Sequence, residues 1–280
     1  MTIFTWDAIL HFINGTSPIP LPPFFSKGTA LTIGSFDGPH IGHAKLIEAI
    51  LNQKKENGFA PGVLTFRRPL TGYKKGAAYK GDVSTLAQRL QSFKELGVVF
   101  VVVIDFSDEF CKIEGRVFLE YLVKFLNMKF IAEGKDFHCG YRGSTGMDEI
   151  CSFAEQNGIK AEIVPPVLYG EERVSSSRIR EDVLNGDFAP VNYMLARPYK
   201  LDCLGLDWKV EEKENTVYYS AVKNLLQVIP AEGKYPVRVL MSDSSEMNSC
   251  RSELIVESQF LRLQVSQTAN NSMVRAIEFI

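Results

Sequence analysis

Residues 31–43 read L-T-I-G-S-F-D-G-P-H-I-G-H: an apolar strand, a glycine-broken turn, and a helix start that carries His40 and His43. These residue types in this order suit phosphate chemistry. The N–H groups at a helix N-terminus have no partners inside the helix, and the helix dipole attracts negative charge there. Glycine at 34, 38 and 42 lets the backbone approach a phosphate closely. Two histidines three apart on a first turn lie on one side of it, where both can donate to phosphate oxygens. The chain has only four histidines, and two fall in this one tetrapeptide, which speaks against an ordinary amphipathic first turn.

A second anion-binding start lies at residues 174–180, V-S-S-S-R-I-R. Part of this run is a serine cap. The remaining hydroxyls, the backbone N–H groups and two arginine forks also build a phosphate site. Ser177 and Arg180, three apart, share a face. Alone the run is weak; paired with H-I-G-H it is a strong sign.

The elements that must position these runs alternate in type. Strands are expected over 30–34, 62–66, 98–106, 129–132 and 160–164, and helices over 39–55, 84–96, 114–126, 147–156 and 176–184. Ser84 is the expected N-cap of the second helix and Gly97 its stop. This alternation implies a Rossmann-like α/β domain with a parallel sheet covered on both sides, whose ligands bind at the carboxyl ends of the strands. The histidine run sits at such an end. After Arg197-Pro198 short alternating stretches predict a small antiparallel β-barrel or sheet, with an ambiguous helical run over 221–228. The expected domains are therefore 1–197 and 198–280. The segment before Leu31 contains P-I-P-L-P-P and reads as an extended arm on the first domain.

Composition bounds the function. The 280 residues are 45% hydrophobic and 23% charged, with a net charge of −2, which argues against broad nucleic-acid binding. The longest apolar run, 98–104, suits a buried strand and is too short to span a bilayer. With no basic-then-apolar leader and five scattered cysteines lacking a C-x-x-C pair, the expected setting is cytoplasmic, with reduced thiols and no zinc site.

H-I-G-H and S-S-S-R-I-R resemble the paired motifs of the H-x-G-H nucleotidyltransferase superfamily, the second of which reads roughly I-S-S-T-x-x-R. G-S-F-D-G-P-H-I-G-H, L-T-F (64–66), G-K-D-F-H-C-G-Y-R-G (134–143), E-R-V-S-S-S-R-I-R and A-R-P-Y (196–199) also follow one another in the order of prokaryotic FAD synthetases, which are usually fused to a riboflavin kinase domain. The resemblance implies adenylyl transfer from ATP to FMN, with magnesium bridging phosphate oxygens. It places His40, His43, Ser177 and Arg180 in catalysis. Gly34, Ser35, Phe36, Asp37, Gly38, Gly42, Ser175, Ser176 and Arg178 fall around ATP, and Phe66, Asp136, Phe137 and Arg142 around FMN. For Asp37 a tight-turn role and a chemical one both stand. Asp136 and Phe137 read equally as flavin contacts or plain loop residues, and Arg142 as an FMN phosphate contact or a solvated residue. His11 and His138 receive no role, and Trp6 and Trp208 read as packing residues. The implied partners are small molecules, with neither nucleic acid nor membrane among them.

This chain departs from that family at several positions. Ser35 stands where Asn is usual and Ser177 where Thr is usual. Arg67, Arg68, Pro69 and Leu70 replace the usual E-P-H-P, and Cys139 replaces an aromatic residue. The kinase signature G-x-P-T-A-N does not occur after Tyr199; residues 217–224, V-Y-Y-S-A-V-K-N, keep neither its proline nor its threonine. The expectation is an FMN adenylyltransferase whose barrel persists without kinase chemistry. Three rivals remain: a sister nucleotidyltransferase acting on another acceptor, a catalytically silent flavin- or nucleotide-binding protein, and an active bifunctional enzyme.

Overall fold

The computed structural model describes every residue except 18–19, 21, 71–78, 108, 214–215, 243–246 and 267–272. Contacts divide the chain into two compact units, 1–74 with 86–173, and 75–85 with 174–280.

The first unit is a six-stranded sheet of β1 (Thr2–Thr5), β2 (Thr29–Gly34), β3 (Ala60–Phe66), β4 (Phe100–Ile104), β5 (Met128–Gly134) and β6 (Lys160–Val164). All pairs are parallel, in the order β1-β4-β3-β2-β5-β6. The helices are α1 (Trp6–Ile13), α2 (Ile41–Asn57), α3 (Leu86–Leu96), α4 (Gly115–Leu126) and α5 (Met147–Gln156). The alternation along each strand feeds two cores. Leu31, Ile33, Leu64, Phe100, Val102 and Ile104 join the α4 and α5 side. Ala30, Val63, Val101, Val103 and Phe130 join Ile47 and Ile50 of α2 and Phe93 of α3. Such a sheet, buried on both faces, explains the unbroken β-branched run in β4. Gly62 is forced by packing, because a Cβ there would lie 2.1 Å from the Phe100 ring.

The N-terminal segment corrects the extended-arm expectation. Residues 2–5 pair with Phe100–Val103 as an edge strand, and Thr5 caps α1 by accepting from the Ala8 N–H at 3.2 Å. Trp6 is buried edge-on to Phe110 at 5.3 Å, a packing residue as expected. This strand and helix are too short to show a period. Of the proline-rich run, residues 18, 19 and 21 lie outside the described residues, and Pro23–Phe25 form a 3₁₀ turn that buries Phe25. The helix expected from Ser84 starts at Leu86, and the strand expected over 98–106 contracts to Phe100–Ile104. A two-strand hairpin, β7 (Leu168–Tyr169) and β8 (Glu172–Arg173), closes the unit.

The second unit holds α6 (Ser176–Asn185), α7 (Phe188–Leu195) and seven antiparallel strands: β9 (Tyr199–Asp202), β10 (Lys209–Lys213), β11 (Thr216–Val222), β12 (Gly233–Ser242), β13 (Met247–Val256), β14 (Phe260–Ser266) and β15 (Met273–Phe279). Their order is β10-β11-β14-β13-β12-β15-β9. Val217, Tyr219 and Ala221 on β11, Leu261, Leu263 and Val265 on β14, and Val237, Val239 and Met241 on β12 alternate inward as a one-sided sheet requires. The run over 221–228 is not helical; it ends β11 and continues as loop. The division expected at 197/198 falls earlier, because α6 and α7 group with this sheet. Phe188 stacks on Phe279 at 4.0 Å, and Asn192 bonds both the Phe279 carbonyl and the Tyr199 N–H.

In the parallel sheet, β2 connects outward to β3 on one side while β5 lies on its other side, so the topological switch falls between β2 and β5. These strands pair only as far as Leu31↔Ile131. Beyond that point the buried Glu133 carboxylate accepts from the Ile33 N–H at 2.5 Å and the Thr32 hydroxyl at 3.4 Å, replacing a backbone acceptor where the strands part.

Burial pushes the Glu133 carboxyl well above the usual carboxylate range, opposed by those two hydrogen bonds. The folded chain therefore keeps this proton to higher pH than the unfolded chain does. The stabilising contribution is complete below the unfolded value of about 4.3 and is lost as pH rises toward the folded one. Glu133→Gln keeps an acceptor and removes the titration. Urea unfolding of both forms from about pH 4.5 to about pH 8 should show the wild type losing stability relative to the variant as pH rises. Parallel profiles would contradict this account.

Candidate active site

The turn from β2 to α2 is bent at two left-handed positions, Phe36 (φ 46°) and Gly38 (φ 62°). For a phenylalanine this conformation costs on the order of 1–2 kcal/mol. Burial holds it: Phe36 is 2% exposed and packs edge-on to Phe93 at 5.5 Å and to His43 at 5.0 Å. Asp37 is buried in the same turn. His40 is the N-cap of α2, and its Nδ1 accepts from the His43 N–H at 3.2 Å. In the neutral ring this acceptance leaves the proton on Nε2, a donor. The two imidazoles stack, with centroids 3.6 Å apart and planes 15° from parallel. Gly42 lies in the first turn between them. The structure thus brings Gly34, Ser35, Phe36, Asp37, Gly38, His40, Gly42 and His43 into one compact helix start.

Beside it lies a cavity of about 740 Å³, within the range of small-molecule sites. Gly34 and Ser35 line it from the end of β2, Phe66 from the end of β3, and Asp136, Phe137 and Arg142 from the loop after β5. All four residues expected around a flavin therefore share one cavity. Of its apolar wall, sequence reasoning found Phe66 and missed the rest. Phe66, Phe106 and Phe110 stand 5.9–6.2 Å apart by centroid, with Leu70 and Ile113 beside them.

The loop over 136–143 is held by tight contacts. Cys139 and Thr145 exchange backbone hydrogen bonds at 2.9 and 3.1 Å. Gly140 (φ 77°) sits where a Cβ would meet the Gly115 nitrogen at 2.3 Å. Arg142 is itself left-handed (φ 55°), with its guanidinium 5.1 Å from the Tyr141 ring. Asp136 is ion-paired with Arg173. Burial, aided by Glu133, raises the Cys139 thiol to about 12, so it stays protonated and serves as apolar lining. Arg67, which departs from the family pattern, forms a two-pronged pair with Asp105 at 2.5 and 3.1 Å.

Arg89 was missed as well. It is fully buried, and its Nη1 donates to the Ser35 carbonyl at 2.9 Å, the Thr65 hydroxyl at 3.1 Å and the Phe66 carbonyl at 2.8 Å. Its Nη2 donates to the Arg67 carbonyl at 2.7 Å. One guanidinium therefore ties the histidine turn to the cavity wall. The sequence did hold a signal: Leu86, Leu90 and Phe93 pack inward from α3, and Arg89 falls on that same stripe.

The second motif lies in the other unit. Ser175 caps α6 by accepting from the Arg178 N–H at 3.2 Å. Ser176 and Ser177 fill the first turn, Ser177 exposed. Arg180 is 7% exposed; its Nε donates to the Gly81 carbonyl at 2.7 Å and its guanidinium lies 5.1 Å from the Tyr79 ring. Among the described residues no group of three or more His, Cys, Asp or Glu could hold a metal ion, and no helix is long and apolar enough to cross a membrane.

A parallel sheet with a phosphate-type helix start and a cavity at its switch point defines a Rossmann-like nucleotide-binding protein. A family model described as FAD synthetase matches residues 24–178, and the chain belongs to that family. Its relatives include the bifunctional riboflavin kinase/FMN adenylyltransferase of Haemophilus influenzae, 27% identical over 79% of this chain and 72% of that one. The Escherichia coli K12 protein of the same name is 27% identical over 82% and 74%. An FAD synthetase of Listeria monocytogenes is 25% identical over 62% and 71%. A crystal structure described as a macrolide-efflux protein from Streptococcus pneumoniae shares the fold, with a TM-score of 0.79 at 19% identity over 99% of this chain and 89% of that one.

Arg89→Met leaves several backbone acceptors buried and unmatched, so thermal or urea unfolding should show a loss of about 3 kcal/mol. Arg89→Lys, with a point charge in place of a fork, should lose less. Wild-type stability in Arg89→Met would show that water satisfies these carbonyls as well.

Proposed function

We propose that this chain transfers the adenylyl group of ATP to FMN. An FMN phosphate oxygen bonds to the α-phosphorus of ATP, the bond from that phosphorus to the β-bridging oxygen breaks, and FAD and pyrophosphate result. The reading rests chiefly on one observation: stacked His40 and His43 at a helix N-terminus, next to an aromatic-walled cavity of about 740 Å³. Such a transfer needs positioning and charge stabilisation rather than covalent catalysis. The Nε2–H of His40 and the His43 ring donate to oxygens whose charge grows as pyrophosphate leaves. The turn over Gly34–Gly38 and Gly42 gives the triphosphate close backbone approach. Ser175, Ser176 and Arg178 support ATP, while Ser177 and Arg180 hold the β- and γ-phosphates. Phe66 and Phe137 flank the isoalloxazine, with Asp136 and Arg142 at its polar margin. Magnesium would be held mainly by the substrates' phosphate oxygens and water and would supply charge neutralisation there, a mode that needs no cage of protein carboxylates. We assign no riboflavin kinase activity to the second unit, because residues 217–222 run as an ordinary strand that lacks the proline and threonine of the kinase signature. The reaction fits a cytoplasmic setting.

Purified protein incubated with ATP, magnesium and either FMN or riboflavin, followed by chromatography of the flavins, tests both parts. FAD from FMN and no product from riboflavin is the expected result. FAD from riboflavin would restore the kinase, and no product from either would favour a silent binding protein. His43→Ala should fold normally and lower kcat ~100- to 1000-fold, the usual effect of removing one such donor. An unchanged kcat would remove His43 from the chemistry.

A further inference from the structure

Arginine has a long, flexible side chain, so its usefulness to a phosphate depends on what aims it. Arg180 is aimed by residues 79–82. Its Nε donates to the Gly81 carbonyl at 2.7 Å, and its guanidinium packs on the Tyr79 ring. The Tyr79 hydroxyl in turn donates to Asp82 at 2.7 Å. This short segment is neither helix nor named strand, so its own position must come from elsewhere in the second unit.

That position comes from residues 226–228 and from β9. Asp82 forms an isolated parallel bridge with Gln227: its N–H donates to the Leu226 carbonyl at 2.8 Å, and its carbonyl accepts from the Val228 N–H at 2.8 Å. Gly81 (φ 114°) admits this approach, since a Cβ there would lie 2.6 Å from the Val228 nitrogen. The node of the arrangement is the Gln227 side chain, 3% exposed. Its Oε1 accepts from the Asp202 N–H at 2.8 Å, while its Nε2 donates to the Val83 carbonyl at 3.2 Å and the Lys200 carbonyl at 2.9 Å. A buried amide is tolerated only when satisfied in this way. Thr85 adds a bond to the Asp202 carboxylate at 3.2 Å. A continuous line of hydrogen bonds thus runs from the antiparallel sheet through Gln227 and residues 79–85 to Arg180.

We propose that Gln227 is a positioning residue for adenylyl transfer, holding the Arg180 guanidinium in the orientation that meets the nucleotide phosphates. The proposal rests on the reading that Arg180 binds those phosphates. It gives a sheet without the kinase signature a role in the use of ATP.

The test compares wild type, Gln227→Leu, Arg180→Ala and the double variant by steady-state kinetics in ATP and in FMN. Amide hydrogen exchange over residues 79–85 and 226–228 is followed in parallel. Gln227→Leu should raise the KM for ATP about tenfold, the effect of losing roughly one well-made hydrogen bond, with the KM for FMN unchanged. Exchange at Asp82 and Val228 should speed up, and the substitution should add nothing in the Arg180→Ala background. An unchanged KM for ATP in Gln227→Leu, with a raised one in Arg180→Ala, would overturn the role of Gln227 and leave that of Arg180 intact. Multiplying effects in the double variant would also overturn it, since they would show that the two residues act independently. If Arg180→Ala itself leaves ATP use unaltered, the reading of Arg180 fails and the proposal falls with it. Should Gln227→Leu not fold, Gln227→Glu keeps the acceptor for Asp202 and loses both donated bonds, and the same comparisons apply.

Discussion

A buried cation organises the first unit. The Arg89 guanidinium reaches carbonyls at the ends of two neighbouring strands and of the loop beyond, taking up backbone acceptors that the sheet leaves open there. Isolated charges are expensive inside proteins. Here the cost is offset by a set of hydrogen bonds that a planar fork is shaped to make. The histidine turn, with its left-handed Phe36, and the aromatic wall of the cavity are thereby referred to the same rigid point.

On the other side of β2 the same problem is met with the opposite chemistry. Where β2 and β5 cease to pair, the Glu133 carboxyl supplies the missing acceptor. The switch point of the sheet is thus flanked by an arginine satisfying carbonyls and a carboxyl satisfying an amide. Where β2 and β5 part, and where the ends of β2 and β3 stop, polar backbone groups face a dry interior, and these two side chains meet that need.

The sequence revealed the repetitive and the locally determined parts of this protein. The strand–turn–helix around His40 and His43 was plain, because glycines, histidines and an apolar run lie within thirteen consecutive residues. The long helices and buried strands were equally plain from period and capping. What escaped was set by partners distant in sequence. The strand over 2–5 exists because of Phe100–Val103, and α7 groups with the second unit because of Phe279. Phe106 and Phe110 became cavity lining through a loop with no period of its own. Residue type alone makes Arg180 a candidate phosphate ligand, yet its burial against Tyr79 and Gly81, about a hundred residues earlier, had no local trace.

The division of the chain carries a consequence for synthesis and for engineering. Because residues 75–85 group with 174–280, the backbone passes between the units at three places. During translation the segment 79–85 emerges well before the Gln227 that will anchor it, so it must wait in an unpaired state while the parallel sheet is still being completed. No single cut can separate the two halves as intact modules. A fragment ending near residue 173 would carry an orphaned stretch of backbone in its middle, and one beginning there would lack the piece that orients its arginine. The protein therefore consists of two compact units whose segments interleave along the sequence.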